Sequence, residues 1–160
     1  MSGIFLIIKE ITMSFQKQVI EKMKEAMKSK DTVALTALRA LKSAFMLANT
    51  ETGTGEITEA EELKIIQKQV KQRKDSAVVF SEQGRNDLAD PELAEAAILE
   101  QFLPEALSEE EIEEVVKETV IKIGAVGIKD MGKVMGIVSK QLAGKADGKT
   151  ISMIVKKILV

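Results

Sequence analysis

The residues best suited to chemistry lie in the last 42 positions of the chain, where lysine and glycine are abundant. Between Thr119 and Val160 there are eight lysines against two acidic residues, a net charge of +6, and six of the chain's ten glycines. Residues 82–118 carry thirteen acidic and two basic residues, a net charge of −11, so the whole-chain charge of −2 hides two poles. This separation predicts a polyanionic partner at the C-terminal end.

The sequence KDMGKVMG, residues 129–136, places Gly132 and Gly136 four positions apart on one face of a predicted helix. Glycine inside a helix costs about 0.5–1 kcal/mol relative to alanine, so something should offset that cost. One interpretation, which the residues alone favour, is close packing against a neighbouring helix. The other is close approach of a phosphate backbone beside lysine side chains.

The sequence GKADGK, residues 144–149, is first a predicted turn between two helices, and its two lysines make it a candidate anion site as well. We therefore predict one nucleic-acid-binding set, made of Lys129, Lys133, Lys140, Lys145, Lys149, Gly132 and Gly136.

A second basic group occupies residues 68–76, KQVKQRKDS. Arg73 falls on the apolar face of its predicted helix, where a guanidinium group is costly unless it is paired or reaches solvent. Ordinary helix solvation is the favoured interpretation, with the stem of Arg73 packed and its charge paired with an acid from the next helix. The secondary candidate site comprises Lys71, Arg73, Lys74 and Arg85.

The side-chain inventory argues against a self-contained active site. The chain has no Cys and no His, which removes the thiolate nucleophile and the commonest general base. It contains no hydrolase signature of the GxSxG or SxxK type and no phosphate loop. The carboxylates of residues 105–118 are interpreted as a solvated helical surface. We predict no catalytic residue, no metal site and no cofactor, and, without Trp or Tyr, no aromatic platform for stacking bases.

Helical periodicity runs through the chain, and the alternation typical of strands is missing. The sequence thus predicts an all-α, multihelical fold with no sheet. Seven helices are expected, the first over residues 14–30, with a flexible loop over 49–57 and glycine at the helix ends Gly84 and Gly124. Predicted N-caps are Asp31, Thr58, Asp90 (followed by Pro91 at the first helical position), Ser108 and Asp130. The last helix is predicted to begin at Asp147 or Gly148.

Three segments follow from this pattern. Residues 1–12 form an N-terminal extension, disordered or the product of an upstream start, so translation begins at Met1 or Met13. Residues 13–103 form a helical subdomain with one long helix, and residues 104–160 form a small three-helix subdomain. No run approaches the ~20 apolar residues that span a membrane, and the short apolar run Ile4 to Ile8 lacks a basic leader. We expect a cytoplasmic protein that does not contact membranes.

Five motifs in order give the chain a family resemblance. KQRKDS at 71–76, GRNDLA at 84–89, FLPEALSEEEI at 102–112, KDMGKVMG and GKADGK together resemble the YqeY-like protein family over residues 14–159. Phe102 stands where that family usually has Tyr. The resemblance implies an all-α fold in two helical subdomains. It also implies kinship with the C-terminal tail of the GatB component of the tRNA-dependent amidotransferases, which amidate glutamyl-tRNA(Gln) or aspartyl-tRNA(Asn); that tail helps to hold the tRNA.

Three functions follow from the resemblance and the charge pattern. The leading one is a non-catalytic module that binds or handles tRNA through its phosphate backbone and is selective for shape. The second is an accessory component of a glutamine-dependent amidotransferase, since the family's label as carbon–nitrogen ligases with glutamine as amido-N-donor comes from that kinship. The third is a protein-interaction adaptor. The protein partners that the resemblance implies are amidotransferase subunits or an aminoacyl-tRNA synthetase.

Overall fold

The computed structural model describes residues 14–160 and confirms an all-α fold over them, with seven α-helices, one 3-10 turn and no strand in that range. The predictions for residues 1–12 lie outside the described residues. The helices are α1 (Phe15–Ser29), α2 (Thr32–Glu51), α3 (Glu59–Glu82), α4 (Asn86–Glu100), α5 (Glu109–Ile123), α6 (Met131–Gln141) and α7 (Gly148–Leu159), with the 3-10 turn Ile128–Asp130 before α6.

Local capping signals explain where most helices begin. At five N-caps a side-chain oxygen accepts a hydrogen bond from the backbone N–H three residues later, which satisfies a donor that the first turn leaves unpaired. Thr58 and Glu61 complete a reciprocal capping box. The capping residues are Ser14, Asp31, Thr58, Ser108 and Asp147. The predicted N-caps are confirmed at Asp31, Thr58 and Ser108, and the last helix begins at Gly148, one of its two predicted starts.

Glycine ends two helices where the backbone turns left-handed. Gly84 follows α3 with φ 72°, and the next N–H, that of Arg85, donates to the carbonyl of Phe80 over 2.8 Å. Gly124 ends α5 with φ 68°, and the N–H of Ala125 donates to the carbonyl of Val120. Both positions confirm the predicted helix ends, since glycine adopts positive φ without a Cβ penalty.

The predicted start of α4 at Asp90 and Pro91 is wrong. The helix begins five residues earlier, at Asn86, and Pro91 lies inside it. The N–H groups of Leu88 and Ala89 already donate to the carbonyl of Arg85, and Ala89 is buried. Tertiary packing thus extends the helix across a proline that cannot donate a backbone hydrogen bond. The predicted loop over 49–57 is also too long at its start, because α2 continues to Glu51.

The chain divides into two compact units between Phe102 and Leu103, here called unit 1 and unit 2. In unit 1, α3 and α4 pack along each other, and α2 packs against α1, α3 and α4. The largest fully buried side chains of unit 1 are Val19, Leu38, Leu41, Phe45, Ile66 and Leu99.

Unit 2 is a three-helix unit in which α5, α6 and α7 contact one another. Each helix contributes at least two buried aliphatic side chains to one core, made of Ile112, Val116, Val134, Val138, Leu142, Ile151 and Val155. The N–H of Leu107 donates to the carbonyl of Lys145 over 2.9 Å. This bond attaches the segment before α5 to the turn between α6 and α7.

Candidate nucleic-acid interface

Helix α6 has one buried and one exposed face. Val134 and Val138 lie fully buried in the unit 2 core, four residues apart. Gly132, Lys133, Gly136 and Lys140 are exposed on the other side. Because residues three and four apart share a helix face, the two glycines and two lysines form one surface strip, bounded by positive charge.

The glycines of this strip do not pack closely against any helix within residues 14–160, so the packing interpretation that the residues alone favoured is wrong for this part of the chain. A Cβ added at Gly132 or Gly136 would meet no other part of the described chain within 4 Å. Neither position has positive φ. Alanine would fit sterically at both, and the chain carries a helix-propensity cost of about 0.5–1 kcal/mol at each without any internal contact that requires it.

Asp130 occupies the N-cap position of α6, as predicted. Its side chain does not cap α6. Instead its carboxylate accepts a hydrogen bond from the backbone N–H of Val126 over 3.0 Å. The residue ends the 3-10 turn with φ −92° and ψ 1°. No side chain therefore caps this helix start, and Lys129 lies exposed in the preceding turn.

The turn between α6 and α7 presents the remaining predicted lysines. Gly144 is buried with φ 80°, and Asp147 caps α7 by accepting from the N–H of Thr150 over 2.7 Å. GKADGK is thus a helix–loop–helix turn, in agreement with its first interpretation. Lys145 and Lys149 are both exposed on this turn and at the start of α7.

All eight lysines from Lys122 onward are exposed, and none forms an ion pair with another described residue. An ion pair does occur elsewhere in the described part of unit 2, between Lys117 and Glu113 on α5, over 3.3 Å. The ammonium groups of these eight lysines therefore face solvent without an ion-pair partner in the part of the chain that the structure describes.

The sequence-based site missed three of these lysines. Lys149, Met153 and Lys156 lie on the exposed face of α7 at spacings of four and three, with Lys157 beside them. Lys122 is exposed in the last turn of α5. The signal that could have identified Lys156 and Lys157 is their helical spacing from Lys149, since Ile151 and Val155 fix the opposite face as the buried one.

Arg73, a residue of the secondary candidate site, has hydrogen-bond partners within unit 1. The Nε of Arg73 donates to Glu95 of α4 over 3.0 Å, and its Nη1 donates to the side chain of Gln69 over 2.6 Å. The two charged side chains are only 12% and 19% exposed. This pairing with an acid of the following helix is the one that the sequence interpretation expected.

The other three cations of the secondary candidate site, Lys71, Lys74 and Arg85, also have carboxylate partners. Lys71 pairs with Asp75 over 2.8 Å, and Lys74 pairs with Glu100. Arg85 forms two hydrogen bonds with Asp87, and this pairing lowers the pKa of Asp87. The four residues therefore offer an incoming phosphate much less free charge than the lysines of unit 2.

Unit 1 contains a cavity of about 230 Å³ between α1, α2 and α4. Several polar groups of its lining already have partners within the protein. Lys22 pairs with Glu25, Asp31 caps α2, and the hydroxyl of Ser29 donates to the carbonyl of Ala26. The described lining thus provides no pairing of a nucleophile with a base.

Within residues 14–160, no cluster of acidic side chains is arranged to hold a metal ion. No helix in this range has both the length and the apolar character needed to cross a membrane.

A family model and two related proteins match this chain over most of its length. A family model described as Yqey-like protein matches residues 16–159. The chain is 37% identical over 123 residues to "Altered inheritance of mitochondria protein 41, mitochondrial" of Clavispora lusitaniae, covering 75% of this chain and 69% of that protein. It is 30% identical over 140 residues to the protein of the same name from Pyrenophora tritici-repentis, covering 86% and 76%. The chain therefore belongs to the Yqey-like protein family.

Proposed function

We propose that this protein is a non-catalytic tRNA-binding module whose unit 2 contacts the phosphate backbone. The contacts come from Lys129, Lys133, Lys140, Lys145 and Lys149, extended along α7 by Lys156 and Lys157. Contacts of this kind hold and orient a nucleic acid without reading its bases, so the binding selects for shape.

The observation that carries the proposal is the open, glycine-lined strip of α6. Gly132 and Gly136 are exposed, have free space above them and lie between unpaired lysines. A partner that must approach the helix backbone closely accounts for glycine there, whereas packing within the described chain does not. Phosphate is the partner that the adjacent ammonium groups favour.

The distribution of ion pairs supports the choice of unit 2. Three cations of α3, which are Lys71, Arg73 and Lys74, pair with carboxylates of unit 1, while the lysines beyond Lys117 have no such partner among the described residues. Moving a paired cation to a phosphate would leave its carboxylate unpaired, so the free lysines of unit 2 bind an anion at lower cost.

The cellular compartment belongs to the same proposal. The sequence pattern predicts a cytoplasmic protein, whereas both relatives are named as mitochondrial. A module that handles tRNA works where translation occurs, which both compartments satisfy. A fluorescent fusion expressed in the native cell distinguishes them, and a signal confined to any compartment without tRNA contradicts the proposed function.

The test of the proposal is the salt dependence of binding to an unmodified tRNA transcript, followed by fluorescence anisotropy. Displacement of counterions from several phosphates predicts a slope of log K against log salt concentration of magnitude about 3–5. A flat response to salt, or no detectable binding at low salt, would falsify the proposal.

A further inference from the structure

The last turn of α5 and the connector to α6 together expose four aliphatic side chains within eight residues. Ile121 is 81% exposed, Val126 79%, Ile128 52% and Ile123 37%. We call these four residues the aliphatic tip. None of them is among the side chains that form or pack against the unit 2 core. These four side chains therefore do not contribute to the unit 2 core in the described part of the chain.

The backbone holds the aliphatic tip in a defined conformation. Gly124 and the bond from Ala125 N–H to the carbonyl of Val120 end α5, and the Asp130 carboxylate accepts from Val126 N–H over 3.0 Å. The N–H of Asp130 in turn donates to the carbonyl of Gly127 over 2.9 Å. The side chains are themselves stiff, because all four are β-branched. Ordering the tip against a partner consequently costs little conformational entropy.

The tip is continuous with the proposed phosphate-binding surface. Ile128 and Lys129 are adjacent in the 3-10 turn that leads into α6, and Lys122 lies between Ile121 and Ile123 in the last turn of α5. Cationic and aliphatic side chains thus alternate along one short stretch. A partner that satisfies both must present anions beside apolar surface.

The chemistry of RNA limits what the aliphatic tip can contact. A phosphate is strongly hydrated and gains nothing from an isoleucine side chain, and paired bases hide their faces inside the helix. Unpaired bases in loops and bulges expose those faces, usually for contact with aromatic side chains. Unit 2 contains no aromatic residue, so an aliphatic or methionine side chain would have to cover a base there, and four exposed aliphatic side chains lie close together in the sequence at the aliphatic tip.

We propose that the aliphatic tip packs against unpaired bases of a looped RNA while the neighbouring lysines hold its phosphates. This inference rests on the proposed function and adds to its phosphate contacts a second, apolar contact with the unpaired bases of an accessible loop. Fully paired RNA then binds through its phosphates alone.

The experiment compares two probes, a hairpin RNA with a long unpaired loop and a fully paired duplex with the same number of phosphates. The full chain should bind the hairpin more tightly. The double variant Val126→Ser/Ile128→Ser keeps every charge and should lose about tenfold in affinity for the hairpin, equivalent to about 1.4 kcal/mol. Its affinity for the duplex should not change.

Two control variants separate the contributions. Leu47→Ser removes an exposed aliphatic side chain from α2 in unit 1 and should leave both affinities unchanged. Lys129→Gln should lower the affinity for the hairpin and for the duplex by the same factor. It should also lower the magnitude of the slope of log K against log salt concentration by about 1. Circular dichroism of each variant checks that helicity is retained.

The outcomes distinguish the two levels of the proposal. If the unmodified chain binds neither probe at low salt, the proposed function fails and this inference fails with it. If the chain binds RNA but the double variant keeps the full affinity for the hairpin, the inference alone is overturned. A tip that serves a protein partner instead would give that second result.

Discussion

The backbone N–H of Gln16, in the first turn of α1, donates a hydrogen bond to the buried carboxylate of Glu62 over 3.2 Å. Glu62 lies in α3, so the bond ties two helix starts of unit 1 together. The same corner is extended by Asn49, whose side chain donates to Gln16 Oε1 over 2.9 Å and accepts from the N–H of Ile57 over 3.1 Å. A single buried acid therefore forms part of the junction between α1, α2 and α3.

The free energy of unfolding of the Glu62→Gln variant, relative to that of the unmodified chain, should increase as the pH rises. Burial raises the pKa of Glu62 above its ordinary value of 4.5, and the hydrogen bond from Gln16 only partly opposes this. The folded protein thus holds this proton more tightly than the unfolded chain. The resulting stability is complete below pH 4.5 and is lost as the pH rises through the folded-state pKa. Glutamine keeps the acceptor oxygen and carries no charge, so it avoids that loss.

Urea unfolding of both proteins between pH 4.5 and 7 measures this difference. The free energy of unfolding of Glu62→Gln, relative to the unmodified chain, should increase across the range. Glu21→Gln, which removes an exposed carboxylate of α1, serves as the control for the change in net charge. A relative stability of Glu62→Gln that falls with rising pH would contradict the prediction.

Gly132→Ala and Gly136→Ala should stabilise the protein and weaken its binding to tRNA. Alanine has the higher helix propensity and meets no other part of the described chain, so each change should add about 0.5–1 kcal/mol to the free energy of unfolding. The same methyl groups would hold a phosphate backbone away from α6. Thermal unfolding and binding titrations with the same samples test both effects.

Gly53→Ala in unit 1 is the matched control for these glycine variants, because it too has open space and lacks positive φ. It should not alter the affinity for tRNA. Destabilisation by Gly132→Ala would restore the packing interpretation, and unchanged affinity in both α6 variants would remove the main support for close approach of a phosphate.

Sequence signals located the helices well where the determinants are local. Thr58 and Glu61, or Asp147 and Thr150, are three residues apart, and their capping bonds depend on little else. The start of α4 was missed because burial of Ala89 decides it, and the sequence around Pro91 does not report that burial. The exposed lysines of unit 2 were predictable from composition. The pairing of Lys74 and Arg85 was not, since it depends on which carboxylates lie nearby in space or in the adjoining turn.

Reversing the charge of Lys133 and Lys145 together, with Lys133→Glu/Lys145→Glu, should abolish binding to tRNA without loss of helicity. Both side chains are exposed and unpaired among the described residues, so the fold does not depend on their charge. Each glutamate replaces a favourable phosphate contact with repulsion. Lys24→Glu/Lys64→Glu changes the net charge equally at exposed positions of unit 1 and should retain most of the affinity. Equal losses in the two double variants would mean that net charge, and not the surface of unit 2, governs binding.

The Arg73–Glu95 pair should contribute to stability and not to RNA binding. Glu95→Ala leaves a largely buried guanidinium with only Gln69 as a partner, so we expect a loss of about 2 kcal/mol in the free energy of unfolding. Lys71→Ala removes an exposed ion pair on the same helix and should change stability by less than about 0.5 kcal/mol. Denaturant unfolding gives both values, and tRNA titrations should show unchanged affinity for both variants. If Lys71→Ala weakens tRNA binding as much as Lys133→Gln does, then α3 is part of the interface after all, and its internal ion pairs must open when the nucleic acid binds.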